Sequence, residues 1–230
     1  METKFITPRE LIGSAIVPGG GEVLKLFRRG ADHMIVLERN ELMSSRMSGS
    51  EEALAELVCA RLGGRTAPRL LIGGYGMGFT LRAALKALDK DARLTVAELV
   101  PEIIEWARGP MAAMTGNCLD DKRVTLAMGD IAAMIGGASG AWDAILLDVD
   151  NGPDGLTRDA NDRLYSMTGL TAARGALAPG GLLAVWSAAP DRIFAKRFGE
   201  AGFKVEEISV RARSNGKGGH HTIWIGARGR

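Results

Sequence analysis

The chain is organised around Leu70-Leu71-Ile72-Gly73-Gly74-Tyr75-Gly76-Met77-Gly78-Phe79-Thr80. A short apolar run ends in a glycine-rich turn, and an amphipathic helix then opens with Leu81, Ala84, Leu85 and Leu88 at helical spacing. Strand, turn and helix N-terminus in that order make a nucleotide-binding element. Residues without a Cβ let the backbone take positive φ and approach a ligand closely. The free N–H groups at the helix start favour a polar or anionic ligand edge. Gly74, Gly76 and Gly78 read G-x-G-x-G, not the G-x-G-x-x-G of dinucleotide folds. Taken alone, the pattern also fits a tight loop.

The chain after this stretch favours the first reading. Residues 92–98 form a second strand ending in Glu98, about 20 residues past the glycine turn, where a carboxylate can accept from both ribose hydroxyls of a nucleoside. The alternative for Glu98 is a surface acid opening the helix at 101–108. Residues 123–128 form a third strand, followed by Gly129-Asp130. Asp130 can contact a base amino group, cap its helix, or do both, since a cap uses one carboxylate oxygen. Residues 142–148 form a fourth strand, apolar enough to be buried on both faces. It runs into Asp148-Val149-Asp150-Asn151-Gly152-Pro153-Asp154-Gly155, which places Asp148 and Asp150 where open parallel sheets put their chemistry. A turn of solvated charges is the alternative, and it suits Asp148 least because Asp148 sits at the strand's mouth. Helical segments at 161–165 and 167–177 lead to a tight Pro179-Gly180-Gly181 turn. A fifth strand at 182–187 and a helix at 190–200 follow. Residues 203–211 and 222–227 are strands with no helix between them, so they pair as an antiparallel hairpin through 214–219.

Before the glycine stretch, residues 1–46 read as β. Residues 21–29 and 32–39 form a hairpin, and 41–46 adds a short third strand. So small an antiparallel region has no core of its own and packs on the main domain, where it can form one lip of the site. Ser48 caps a helix with Glu51 and Glu52 in its first turn, suited to the helix dipole, and Gly63-Gly64 stops it. The expected division is a small β region at 1–47 and a nucleotide-binding domain at 48–230. The fold class is α/β: a doubly wound, Rossmann-like sheet of seven strands ending in an antiparallel hairpin, with the small N-terminal antiparallel region beside it.

Composition sets the limits. The chain has 230 residues, 46% hydrophobic and 24% charged, an ordinary globular balance. A net charge of +2 gives no argument for nucleic acid or a membrane surface. Cys59 and Cys118 match no metal spacing, and a buried thiol suits Cys59, which fits a reducing cytoplasm. No signal-type segment or membrane-length apolar run is present, so neither a membrane nor a metal is expected. His33, His220 and His221 form no metal or triad set. Trp142, Trp186 and Trp224 read as core. The Tyr75 ring can line the pocket or pack on the N-terminal sheet.

The hairpin ending, the G-x-G-x-G turn, the acid after the second strand and Pro-Gly-Gly before the fifth together resemble the class I methyltransferase fold. Gly73-Gly74 through Leu81-Arg82, Ala97-Glu98 through Pro101-Glu102, Gly129-Asp130, and Leu147-Asp148 with the Gly152-Pro153 loop further resemble the polyamine aminopropyltransferase (spermidine synthase-like) family. That resemblance covers most of residues 20–210. It implies that Glu98 holds the donor's ribose, that Asp130 contacts adenine and that Asp148 orients or deprotonates an acceptor amine. Asp150 approximates the family's second acceptor acid. It also implies a donor that is decarboxylated S-adenosylmethionine or S-adenosylmethionine, a small amine acceptor and a possible homodimer. Two positions depart from the family pattern. Met77 stands where the family carries the aspartate that binds the donor's ammonium. Leu54-Ala55-Glu56 stands where the family has Tyr-His/Gln-Glu, so Glu56 alone matches. The expected function is therefore transfer of an aminopropyl or a methyl group from an adenosyl sulfonium. A non-catalytic adenosyl-nucleoside-binding module and an NAD-dependent oxidoreductase stay open as the other readings.

Overall fold

The computed structural model describes residues 8–149 and 163–229. Asp150 and the Gly152-Pro153 loop lie outside the described residues. The N-terminal region is a four-stranded antiparallel meander of β1 (Glu10–Ile16), β2 (Val23–Arg29), β3 (Asp32–Leu37) and β4 (Asn40–Ser44), in that spatial order. β1 adds a strand that the alternation at 21–39 does not announce, and it pairs with β2 through a register shift between Leu11 and Gly13. Leu24 and Leu26 of β2 and Ile35 and Leu37 of β3 are buried. They join one continuous core with Leu54, Leu70 and Ile72, so the meander is stabilised by packing on the rest of the chain.

Helix α1 (Gly49–Arg61) follows. Ser48 occupies its cap position but makes no side-chain cap bond, contrary to the expected serine cap. Its φ of −101° and ψ of −10° are helical, a conformation that carries the hydroxyl away from the following N–H groups. The start of the helix is tied down instead by the Gly49 N–H, which donates to the Ala212 carbonyl at 3.1 Å. A Cβ at Gly49 would collide with the Arg213 backbone, so this close approach needs glycine.

The main sheet is built from β5 (Arg69–Gly73), β6 (Arg93–Glu98), β7 (Val124–Met128), β8 (Trp142–Leu147), β9 (Leu177–Ser187), β10 (Phe203–Arg211) and β11 (His220–Arg228). Between them run α2 (Phe79–Ala87), α3 (Pro101–Arg108), α4 (Ala112–Thr115), α5 (Ile131–Gly136), α6 (Met167–Ala176) and α7 (Arg192–Glu200). The strand order is β10-β11-β9-β8-β5-β6-β7. β5, β6, β7, β8 and β9 pair in parallel, and β11 runs antiparallel to both β9 and β10. This is the expected seven-stranded doubly wound sheet with its C-terminal hairpin. Pro179-Gly180-Gly181 is not a separate turn before β9. It lies inside that strand, with Gly180 at φ +70° and a register shift against β8 between Trp142 and Ala144. Apolar cores cover both faces of the sheet, one around Leu70, Ile72 and Val96, the other around Ile145, Phe194 and Trp224.

The order of the sheet locates the site. The chain proceeds outward from β5 through β6 and β7, then returns to the other side of β5 with β8. The reversal falls between β5 and β8, and the crevice outside their carboxyl ends is where such sheets bind ligands. β5 leaves the sheet there into the glycine turn, and β8 leaves it into Asp148.

Candidate active site

Gly74, Gly76 and Gly78 all take positive φ, at +82°, +54° and +74°. Gly74 and Gly76 line a cleft of about 1070 Å³, part of it open to solvent, over the carboxyl ends of β5, β6 and β8. A Cβ at Gly74 would strike the Asp148 carbonyl oxygen, and one at Gly76 would come within 2.6 Å of Met43 Cε. The close approach of the turn to β8 therefore requires glycine at 74, whereas at 76 the Met43 side chain can move and the left-handed φ is what favours glycine. Gly78 serves differently. It is the left-handed cap of α2, packed beside the Tyr75 hydroxyl, and is not among the cleft-lining residues.

Glu98, at the end of β6, lines the same cleft and is 5% exposed. Its Oε2 accepts from the Tyr75 N–H at 2.9 Å, and its Oε1 accepts from the N–H groups of Leu99 and Val100 at 2.7 and 2.9 Å. Burial pushes its pKa up, and the backbone donors pull it back down. Glu98 thus ties the glycine turn to the start of α3. Each carboxylate oxygen can accept about two hydrogen bonds, so Oε1 is filled by Leu99 and Val100 and the capacity for a ligand lies on Oε2. Asp130 caps α5, with Oδ1 accepting from the Ala132 N–H at 2.8 Å, and it also lines the cleft. The cap and a ligand contact are compatible, as the sequence allowed.

Asp148 sits one residue beyond β8, half-buried, with its N–H donating to the Gly73 carbonyl at 3.1 Å. The Thr80 hydroxyl donates to its Oδ2 at 2.7 Å. Burial pushes Asp148 up to about 6, against the pull of that hydrogen bond. A second carboxyl shares the cleft. Glu51, in the first turn of α1, is 6% exposed and is pushed up to about 8, by burial first and then by the negative charge of Asp148. Sequence reasoning placed Glu51 in the first turn of a helix, where it suits the helix dipole. The structure buries it where α1 begins against the strand end at Ala212 and beside Ser50 and Thr80. Glu56, the helix acid singled out by position, is exposed and lies away from the cleft. No periodicity argument would have selected Glu51 over Glu52, since burial at a first-turn position is decided by distant chain.

The remaining walls are apolar. Val17, Leu24, Ile35, Leu37, Leu42 and Met43 of the N-terminal region form one lip. Trp186, from the end of β9, also lines the cleft, while Trp224 is fully buried behind it. Met77 is fully buried and not among the lining residues, so it offers the cleft no polar group. The Tyr75 ring takes neither expected place. It is 5% exposed, and its hydroxyl lies 3.4 Å from Cys118 Sγ, on the side away from the cleft. Among the described residues no group of three His, Cys, Asp or Glu side chains could hold a metal ion, and no helix is long and apolar enough to cross a membrane.

The sequence and the fold have known relatives. Over 164 residues, 70% of this chain and 30% of the relative, the sequence is 35% identical to a polyamine aminopropyltransferase of Corynebacterium efficiens. Over 116 residues, 50% of this chain and 28% of the relative, it is 33% identical to putrescine N-methyltransferase 4 of Nicotiana tabacum. The match thus spans less than a third of the length of either relative. The crystal structure of spermidine synthase from Thermotoga maritima superposes with a TM-score of 0.76 over 95% of this chain and 73% of that one, at 19% identity. No protein-family model matches the chain. By sequence the protein is a relative of polyamine aminopropyltransferases, and its fold is the spermidine synthase fold.

Proposed function

We propose that the protein is a transferase that moves a group from an adenosyl sulfonium donor to a small amine. The observation that carries this reading is the presence of two carboxyls, Glu51 and Asp148, in one cleft with the Gly74–Gly76 turn, Glu98 and Asp130. The nucleoside half of the donor suits the glycine side. There the backbone is free of Cβ atoms, and Glu98 and Asp130 retain lone pairs for ribose hydroxyls and a base amino group. Residues 48–230 supply this half, and the β region at 1–47 supplies the apolar lip.

The donor brings an electrophilic carbon on a sulfonium whose departure leaves a neutral thioether, so the protein need not protonate a leaving group. Its task is to bring the acceptor in line and to free the attacking lone pair. An amine arrives as an ammonium. Asp148, the more acidic and therefore the ionised one of the two, attracts that cation and takes its proton, with the neutral Glu51 carboxyl beside it. Asp150 is proposed as a second acid towards the acceptor on the strength of its sequence position alone.

Two groups can be moved. The relatives in Corynebacterium and Nicotiana are named for aminopropyl and for methyl transfer. Met77 allows methyl, because without an aspartate at that position no negative charge there opposes the carboxylate by which S-adenosylmethionine differs from its decarboxylated form. Incubation with decarboxylated S-adenosylmethionine or S-adenosylmethionine and a panel of amines tests the proposal. Methylthioadenosine as product means aminopropyl transfer, and S-adenosylhomocysteine means methyl transfer. A protein that binds a donor and releases neither is a binding module.

A further inference from the structure

Glu51 has a hydrogen-bonded continuation away from the cleft. The Ser50 hydroxyl donates to Glu51 Oε2 at 2.6 Å and lies 2.8 Å from His221 Nδ1. Ser50 is fully buried, so its hydroxyl is confined to these two partners. His221 is the second residue of β11, beside the exposed hairpin loop at 214–219, and is half-buried. Its ring packs edge-on against Trp186, 4.8 Å between centroids, which separates it from the cleft. Among the described residues its Nε2 has no hydrogen-bond partner in the protein. A buried serine bridging a cleft carboxyl to a half-exposed imidazole joins the site to the surface through groups that can each pass a proton.

We infer that Ser50 and His221 form a proton exit from the acceptor site. This rests on the transferase reading, in which the cleft must shed one proton per turnover. Asp148 hands the ammonium proton on to Glu51 across the cleft, and the proton Glu51 already holds passes to Ser50 Oγ as the Ser50 hydroxyl proton passes to His221 Nδ1. The resulting imidazolium releases its Nε2 proton to water, and the ring regains its starting tautomer by exchange with solvent. No bond other than O–H and N–H forms or breaks. Ser50 and His221 touch neither donor nor acceptor. They act through Glu51 and are positioning residues.

A structural role is the competing account, since the same bonds hold α1 against β11. The charges facing Glu51 are Asp148 and the neighbouring Glu52. His221 faces Trp186 and Ser50, and on its strand partner β10 the nearest cation, Arg211, donates to the Gly218 carbonyl. Burial alone lowers the His221 pKa, so a change in its titration on altering Glu51 reports the connection between them.

The first test is the titration of the imidazoles by nitrogen NMR, which needs no turnover. The chain has three histidines, and single substitutions assign them. As Glu51 ionises through about 8, the Ser50 proton is expected to turn from His221 Nδ1 to Glu51 Oε2, so the His221 titration should carry a second step there that Glu51→Gln and Ser50→Ala each remove. A His221 titration without that step, or a step that survives either substitution, overturns the relay. The second test is kinetic. Ser50→Ala should lower kcat about tenfold or more with KM for the amine within about twofold, and Ser50→Thr should restore it. A Ser50→Ala variant with wild-type kcat at every pH overturns the relay, as does loss of kcat that Ser50→Thr leaves in place. If the wild type turns over no donor, the transferase reading fails by itself, and the titration still decides whether the connection exists.

Discussion

Thr80 Oγ1 donates to Asp148 Oδ2 at 2.7 Å while lying 3.3 Å from the Glu51 carbonyl oxygen. A hydroxyl has one proton to give, and the shorter contact to a carboxylate takes it. Thr80 belongs to the first turn of α2, so the helix that follows the glycine turn also sets the acidity of the residue at the mouth of β8.

Thr80→Val tests that link. The hydrogen bond favours the ionised form of Asp148 and opposes the upward push of burial. Without it the Asp148 pKa rises further above about 6. The acidic limb of the pH profile of kcat/KM should move to higher pH, with activity at alkaline pH largely retained. An unmoved limb would show that Asp148 is not the group that titrates it.

Glu51 makes stability depend on pH in a defined direction. Its folded pKa, about 8, lies above the ordinary 4.5, so the folded state binds the proton more tightly than the unfolded chain. The stability this contributes is fully present below the unfolded value and is lost as pH rises through the folded one. The melting temperature should fall across that window. Glu51→Gln, which carries no titrating proton, should flatten the fall and melt higher than the parent on the alkaline side. Each kcal/mol recovered is worth roughly 2–4 °C for a chain of this size. Thermal melts of both proteins across the window give the comparison.

Glu98→Gln should loosen the glycine turn. Three backbone N–H groups point at the two Glu98 oxygens, and an amide turns one of those oxygens into a donor. At least one buried N–H then loses its partner, at a cost of about 1–3 kcal/mol. Donor affinity should fall by about tenfold or more if the turn carries the nucleoside. Calorimetry of donor binding by the variant, with its melting temperature as a control for folding, reads both effects.

Gly74→Ala and Gly116→Ala separate backbone strain from collision. Both glycines have positive φ, +82° and +61°. A Cβ at Gly116 meets nothing within 4 Å, whereas one at Gly74 strikes the Asp148 carbonyl. Gly116→Ala should cost about 1 kcal/mol from conformation alone. Gly74→Ala should cost clearly more, and should also displace the Asp148 main chain and weaken donor binding. Equal losses in denaturant melts of the two variants would contradict the close approach of the turn to β8.

Much of the fold was legible because it is written in local patterns. The apolar runs of β5 and β8 and the two helix-free strands at the C-terminus each follow from short-range periodicity, and the order of the sheet follows from their alternation with helices. Pro179-Gly180-Gly181 misled because a glycine at positive φ marks a bulge inside a strand as readily as a turn outside it. In the site, Gly74, Glu98, Asp130 and Asp148 were legible because each stands at a strand end. Glu51, Ser50 and His221 were not. They come from residues 50, 51 and 221 and meet only because α1 starts against the end of the C-terminal hairpin. Tyr75, whose ring the sequence leaves open between the cleft and the N-terminal sheet, has its hydroxyl against Cys118, a partner likewise distant in sequence.

The central claim is that the cleft between β5 and β8 binds an adenosyl sulfonium through its nucleoside. Calorimetric titration of the purified protein with S-adenosylmethionine, decarboxylated S-adenosylmethionine and methylthioadenosine tests it most directly, because the three share the nucleoside and differ at sulfur. The expected result is binding of all three, weakened together in Glu98→Gln, with the preferred sulfonium naming the group transferred. Binding of none of them would contradict the claim and leave only the fold in common with spermidine synthases.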